Sequence, residues 1–382
     1  MGGMFAYQKT NRYFAQISDG LETVGVNELE SLGATEVKPS FRGIYFSAGP
    51  ALMYRVNYMT RLATRVLAPL LTFDCHSDRY LYKTAYSMPW SDLLSVETTF
   101  AIDANVTGSR IRHSQYAAQK LKDAIVDQFR DGCGERPSVE TRDPDVWLNL
   151  FIRNNKATIS IDTSGGSLHR RGYRVASVEA PMQETVAAAI IRYTDWDGER
   201  PLYDPMCGSG TLLAEAAMQY CRVPAGFLRK HFGFERLPDF DESIWKKIRQ
   251  ECDGEIRPLP AGLISGSDKS RRDADAARRN CRQLPGGENI AIEPRPFQEI
   301  ESLEDSVIVC NPPYGVRLKD KADPGRLLGE FSSFLKERCR GSVAYIYLGK
   351  EKQLETVKLR ASWKKPINSG GLHGYLAKYK IR

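Results

Sequence analysis

Residues 202–217 read LYDPMCGSGTLLAEAA. A short apolar run stops on Asp204, a loop containing Gly208 and Gly210 follows, and from Thr211 the composition is alanine-rich and helical. Glycines let a backbone approach a ligand closely, and a helix N-terminus presents unpaired N–H groups to it. Open α/β sheets bind nucleotide-like ligands at the carboxyl ends of their strands, where this loop falls. The same two glycines also fit an ordinary tight turn between a strand and a helix. The stretch therefore fixes a strand–turn–helix unit, and its surroundings must decide the ligand.

Downstream, apolar strands alternate with helices. Strands are expected at 201–204, 262–267, 289–293, 305–310 and 343–348, with more near 366 and 375–381. Helices are expected at 182–194, 209–220, 242–252, 270–283 and 325–339. This alternation predicts a doubly wound parallel sheet. Upstream, SGGSLHRRGYRV (164–175) is polar, glycine-containing and basic, and reads as a boundary. Before it, Phe100, Ile102, Ala104 and Val106 alternate with polar residues as a half-buried strand does. A helix over 115–129 puts Ala118, Leu121, Ile125 and Phe129 on one face. A hairpin follows over 146–161, turning at Asn154-Asn155. The first 55 residues read as a small αβ module, with a helix from Glu22 to Leu32 and a strand at 43–48.

Composition narrows the class. The 382 residues carry a net charge of +7, are 42% hydrophobic and 26% charged, and can bury the cores of two or three domains. No apolar run reaches the roughly 18 residues that suggest a membrane span, and the N-terminus lacks a secretory pattern. The eight cysteines form no CxxC pair, so reduced thiols in a cytoplasmic protein are expected, with neither disulfides nor a structural metal. The positive balance makes nucleic acid a reasonable partner.

Two further motifs carry chemistry. SGSDKSRRDADAARRN (265–280) ends a strand on Asp268, whose two oxygens match the vicinal hydroxyls of a ribose; an N-cap role for Asp268 is compatible with the same pattern. In a nicotinamide-binding unit the acid comes about 20 residues after the glycines and the glycines follow GxGxxG. Here the acid comes much later and the third glycine is missing, which disfavours a nicotinamide oxidoreductase. VIVCNPPYGVRL (307–318) ends a buried strand on Asn311-Pro312-Pro313-Tyr314. Prolines end many strands. Together, however, the Asn311 amide oxygen and the Pro312 carbonyl offer two acceptors in directions fixed by the prolines, and Tyr314 offers a face on which a base can stack. Such a set suits an exocyclic base amine, which has two N–H donors.

With these residues in view, the chain resembles the class I S-adenosylmethionine-dependent methyltransferases acting on amino groups. SLHRRGYRVASVEAPMQETVAAAIIR (167–192), DPMCGSGTLLAEAA and VIVCNPPYGVRL together are similar to the THUMP-domain enzymes that make N2-methylguanosine in RNA, above all the bacterial 23S ribosomal RNA guanine-N2 methyltransferases. The resemblance implies a Rossmann-like, seven-stranded class I methyltransferase domain (166–382). A ferredoxin-like module (1–55) and a THUMP RNA-binding domain (56–165) would precede it. It implies that Asp204, Cys207, Gly208, Ser209 and Gly210 surround the methionine moiety of the cofactor, S-adenosyl-L-methionine. Asp268 would hold the ribose, with Lys269 beside the adenine. Gln298 or Glu299 would meet the adenine amine, the usual aspartate being absent from PRPFQEI (294–300). Pro181, Gln183 and Glu184 would line the pocket, and Asn311, Pro312 and Tyr314 would position the guanine. Some relatives carry a second methyltransferase domain; this chain ends soon after YLAKYKIR (375–382), so one modification is expected.

The basic junction of His169, Arg170, Arg171 and Arg174 is a candidate RNA contact, and it equally suits packing between domains. Lys269, Arg271, Arg272, Arg278, Arg279 and Arg282 decorate the helix after Asp268, where a solvated face is the commoner role. The expected substrate is large-subunit ribosomal RNA, naked or in a pre-ribosomal particle, with no membrane or obligate protein partner. Transfer RNA guanine-N2 methylation, DNA adenine-N6 methylation, which also uses NPPY, and a catalytically silent RNA-binding or assembly factor are the rival readings.

Overall fold

The computed structural model describes residues 5–176, 178, 181–313, 324–369 and 372–382. Within them the strands fall into two sheets, one in each half of the chain. The N-terminal sheet contains β1 (Arg12–Ile17), β2 (Thr35–Ser40), β3 (Gly43–Ser47), β4 (Ala63–Asp74), β5 (Thr99–Thr107), β6 (Ser138–Val139), β7 (Val146–Arg153) and β8 (Lys156–Asp162). Their order is β2-β3-β1-β4-β8-β7-β5-β6. The long β4 pairs antiparallel with β1 on one side and β8 on the other, so the two N-terminal modules share one sheet. Asn154 and Asn155, at φ 52° and 60°, make the left-handed turn joining β7 to β8, the hand that matches strand twist.

Helices α1 (Ala6–Thr10), α2 (Glu22–Ser31), α3 (Pro50–Met59), α4 (Asp78–Tyr86) and α5 (Ser114–Cys133) belong to this half. The buried stripe of α5 runs through Ala117, Leu121, Ala124 and Ile125. Ala117, not the expected Ala118, lies four residues before Leu121 and so takes the inward position.

The second sheet contains β9 (Leu202–Asp204), β10 (Ile264–Asp268), β11 (Ala291–Pro294), β12 (Val307–Cys310), β13 (Val343–Leu348), β14 (Ala361–Ser369) and β15 (Leu372–Lys380). Its order is β11-β10-β9-β12-β13-β15-β14. Strands β9 to β13 pair in parallel, and β15 alone runs against its neighbours. Helices α6 (Glu184–Tyr193), α7 (Thr211–Tyr220), α8 (Glu242–Gly254), α9 (Arg271–Cys281), α10 (Pro324–Arg338) and α11 (Glu351–Thr356) accompany it. β9 and β12 are buried along their whole lengths, as parallel strands covered on both faces must be. This is the expected Rossmann-like, seven-stranded α/β domain behind an α+β region. The order places β9 between β10 and β12, so three carboxyl ends meet at one place.

The segment 164–175 is a boundary in sequence but not an exposed linker. Ser164, Leu168, Arg171 and Tyr173 are all buried. They lie in a polar seam between the halves. There the buried Arg61 donates to the carbonyls of Met218 and Val223, at 2.8 and 2.6 Å. On the other side of the seam Glu28 accepts from Thr60 and from Arg192. No helix among the described residues is long and apolar enough to cross a membrane.

Candidate active site

Three turns converge at the carboxyl ends of β9, β10 and β12. Asp204 closes β9 and is 2% exposed. Its Oδ1 accepts from the Met206 N–H at 3.1 Å. Burial, with a contribution from the neighbouring Asp268 carboxylate, pushes the Asp204 carboxyl up to about 8. An acid held this way is mostly neutral at pH 7 and ionises readily when a cation comes alongside.

Asp268 closes β10. Its Oδ2 accepts from the Gly208 N–H at 3.0 Å and its Oδ1 from the Ser270 N–H at 2.9 Å. Burial raises its carboxyl above the ordinary range. The N-cap of α9 is Ser270, whose hydroxyl accepts from Asp273 N–H, so the capping role considered for Asp268 is filled by another residue. One backbone bond to each oxygen fixes the carboxylate plane and leaves each oxygen further lone pairs, as a pair of vicinal hydroxyls requires.

The two glycines of the loop do different things. Gly208 has φ +53°, and a Cβ there would meet nothing within 4 Å: it faces open space. Gly210 has φ +78°, and its Cβ would stand 3.0 Å from Ala277 Cβ and 3.3 Å from Cys281 Sγ. Gly210 lets α7 and α9 approach, while Gly208 keeps the space above the loop free. The Ser209 hydroxyl turns inward to Thr211 Oγ1 at 3.3 Å, so the loop offers a ligand its backbone. The Cys207 thiol is buried and pushed well above its usual value, as is that of Cys310 at the end of β12. Neither is a nucleophile at neutral pH.

At the end of β12, Asn311 is half-buried and Pro312 buried. The Asn311 Oδ1 is shielded from solvent and has no hydrogen-bond partner among the described residues. A buried amide oxygen without a donor costs free energy, about 1–3 kcal/mol, and is an acceptor waiting for an N–H. Tyr314 lies outside the described residues.

Pro181 and Gln183 stand at the start of α6, partly exposed, and Glu184 begins the helix almost fully buried. Arg174 holds this corner together. Its Nη2 donates to the Met182 carbonyl at 2.8 Å and to Thr211 Oγ1 at 3.1 Å, and stands 3.1 Å from Glu184 Oε1. Asn280 of α9, wholly buried, was not visible as a functional residue. Its Nδ2 donates to the carbonyls of Ala176 and Ser209, and its Oδ1 accepts from Ala176 N–H. It ties the glycine loop to the chain leading into α6; only its place in an otherwise exposed arginine run hinted at it. Lys269 is exposed beside Asp268. Gln298 and Glu299 are exposed on a single turn after β11; the Gln298 amide donates to Glu330 at 3.0 Å, so Glu299 has the freer side chain.

The junction arginines need correction. Arg171 is 1% exposed. Its Nε lies 3.3 Å from Glu215 Oε1, its Nη1 donates to the Leu168 carbonyl at 2.7 Å, and its Nη2 donates to the Arg61 carbonyl. A phosphate cannot reach it; it is a packing residue between the halves. Arg174 is turned inward to the corner just described and is likewise not a surface cation. Only Arg170 is exposed. The His169 imidazole, half-buried, is pushed down to about 4 by burial and then by the surrounding arginines, so it is neutral. On the basic helix, Arg278 is spent on the Ile292 carbonyl and on Asp275.

Comparison with known proteins gives the family of the chain. Residues 171–378 match the RMKL-like methyltransferase domain family, 76–162 the THUMP domain and 12–67 the RlmL ferredoxin-like domain. A Synechocystis sp. protein assigned as an RNA methyltransferase is 38% identical over 98% of each chain. Ribosomal RNA large subunit methyltransferase K/L of Aliivibrio salmonicida is 36% identical over 97% of this chain, which spans 53% of that longer protein. Among solved structures, SMU.472, assigned as a methyltransferase and bound to S-adenosylhomocysteine, superposes with a TM-score of 0.85 at 26% identity over 98% of both chains.

Proposed function

This chain belongs to the RMKL-like methyltransferase family, and on that premise we propose that it methylates the exocyclic N2 of a guanosine in large-subunit ribosomal RNA. The cofactor is S-adenosylmethionine, which supplies a methyl group already activated on a sulfonium. The residues present fit it. Asp268 holds out two oriented oxygens, Gly208 leaves open space over the loop, and Asp204 stands ready to ionise beside a cation.

The observation that carries the reading is the orphaned Asn311 Oδ1. In the proposal it accepts one N–H of the guanine amine while the Pro312 carbonyl accepts the other. Two neutral acceptors pin the nitrogen and leave its lone pair free to point at the methyl group. No strong base is needed, because the methylated amine can shed its proton after transfer. Catalysis then rests on positioning and on a preorganised site. Because N2 takes part in base pairing, the target guanosine must be unpaired or flipped out of its stack. Arg170 remains the junction residue able to meet a phosphate.

The test is mass spectrometry of nucleosides from purified large-subunit ribosomal RNA and from transfer RNA, with and without the gene. The expected result is loss of N2-methylguanosine from the ribosomal pool alone. Loss from transfer RNA instead would move the substrate to the rival reading, and no loss from either would overturn the guanine assignment.

A further inference from the structure

The positive charge of the chain is concentrated in one place. Seven of the 54 lysines and arginines lie in residues 358–382, which contain no aspartate or glutamate, and the rest of the chain carries 47 of each sign. The whole excess of +7 therefore belongs to the hairpin of β14 and β15 and its flanks. Lys358 and Arg360 lead into β14, and Lys364 and Lys365 lie on it. Lys378 and Lys380 belong to β15, and Arg382 follows it. All but the half-buried Lys378 are exposed. None of the seven forms an ion pair among the described residues.

From this concentration we infer a site for the RNA backbone on the methyltransferase half, where the β14–β15 hairpin neutralises phosphates of the substrate. Strand β14 is the outermost of its sheet, with β15 as its one neighbour. Successive residues of a strand face opposite sides, so Lys364 and Lys365 put charge on both faces of that edge. The register sets Trp363 opposite Lys378. On their face the Lys365 Nζ stands 4.9 Å from the ring centre of Tyr193 in α6 and 5.6 Å from that of Trp363, and the Lys378 Nζ stands 5.3 Å from that of Tyr345. A ring beneath an ammonium holds it by cation–π attraction, so less side-chain freedom is lost when a phosphate arrives. Cations without acidic partners gain most from a polyanion, whose condensed counterions they release.

Lysines and prolines on an edge strand also guard it against pairing with another chain, and Pro366 is exposed on β14. Guarding accounts for Lys364 and Lys365. It does not account for Lys378 and Lys380, because β15 is paired on both sides, with β13 and β14, nor for Lys358, Arg360 and Arg382, which lie outside the strands. Glu22 of α2 lies near Tyr193, and its carboxylate accepts from the Gly20 N–H at 2.9 Å. An acidic protein would meet the same charge, but the placement of the hairpin favours RNA. The Asn368 amide of β14 donates to Asp19 Oδ2 at 2.9 Å, and its backbone N–H to the Asp19 carbonyl at 3.4 Å. The hairpin is thereby bonded to the N-terminal half, beside an RNA lying along that half.

The site rests on the RNA reading above but not on which amine is methylated, and its test needs no methyl transfer. Fluorescence polarisation would measure binding of a labelled RNA stem-loop of mixed sequence to the full chain over a series of KCl concentrations. The wild type is compared with Lys364→Gln/Lys365→Gln/Lys380→Gln, and with Lys246→Gln/Lys247→Gln/Arg249→Gln on α8, which removes the same charge elsewhere. Lys358→Gln/Arg360→Gln/Arg382→Gln, outside the strands, keeps the test open if the first variant loses its fold, which calorimetry with S-adenosylhomocysteine checks. We expect each hairpin variant to lose about tenfold or more in affinity at about 100 mM KCl, with a salt slope shallower by about two. The α8 variant should stay close to wild type. Wild-type affinity and slope in the hairpin variants would overturn the site while leaving the RNA reading in place; self-association in light scattering would then assign the lysines to guarding the edge, and its absence would leave an acidic protein as the partner. Equal loss in the α8 variant would reduce the effect to net charge and overturn the site as well. No binding by the wild-type chain would overturn both the site and the RNA reading.

Discussion

Asp204 shows how one residue joins fold to chemistry. Its carboxyl ionises near 8 in the folded chain, against about 4 for an exposed aspartate. Between those values the folded state holds a proton that the unfolded chain has lost. Its contribution to stability is therefore greatest at low pH and falls as pH rises through this window. A cationic ligand reverses the preference: it favours the carboxylate, so binding expels a proton and strengthens as pH approaches about 8. Calorimetry of S-adenosylmethionine at about pH 7, in buffers of different ionisation enthalpy, should show a proton released by the wild type and none by Asp204→Asn. Equal release by both would place the titrating group elsewhere. The residue's position at the strand end was legible in LYDPMCGSGT. Its displaced carboxyl was not, because that depends first on burial among elements distant in the chain and only secondarily on Asp268.

At the scale of elements, what could be read was what lies close along the chain. The strands ending on Asp204, Asp268 and Asn311 and the helices after the first two are signalled by local pattern and stand where that pattern puts them. The strap 164–175 was legible only as basic and polar. A run of arginines looks the same whether it meets phosphate or a carboxylate 44 residues away, and Arg171 meets Glu215. Tyr173 donates to the same carboxylate oxygen. Removing the guanidinium leaves a buried carboxylate without its charge partner, at a cost of about 3–5 kcal/mol. Arg171→Leu should lower stability in urea unfolding by that amount, and Arg171→Leu/Glu215→Leu should recover much of it. Unchanged stability with weakened RNA binding would return Arg171 to the surface role first considered for it.

Across the whole molecule, the N-terminal half and the methyltransferase half meet through buried polar contacts, not across a loose hinge. Arg61 reaches carbonyls on either side of the turn after α7, Tyr58 bonds Asp253 of α8, and Phe234 N–H bonds the Thr163 carbonyl. None of these pairings has a local signature, nor does the junction of β1 with β4 that makes one sheet of two modules. In the proposed function, an RNA held by the first half would meet the second at an angle fixed by these contacts, with the three strand ends completing the arrangement. Everything then depends on the amide oxygen at the end of β12. The most direct measurement is transfer of a radiolabelled methyl group to the target RNA by Asn311→Ala, with cofactor affinity measured on the same preparation. The account predicts cofactor binding close to wild type and methyl transfer reduced by about a hundredfold or more; full transfer by the variant would contradict it.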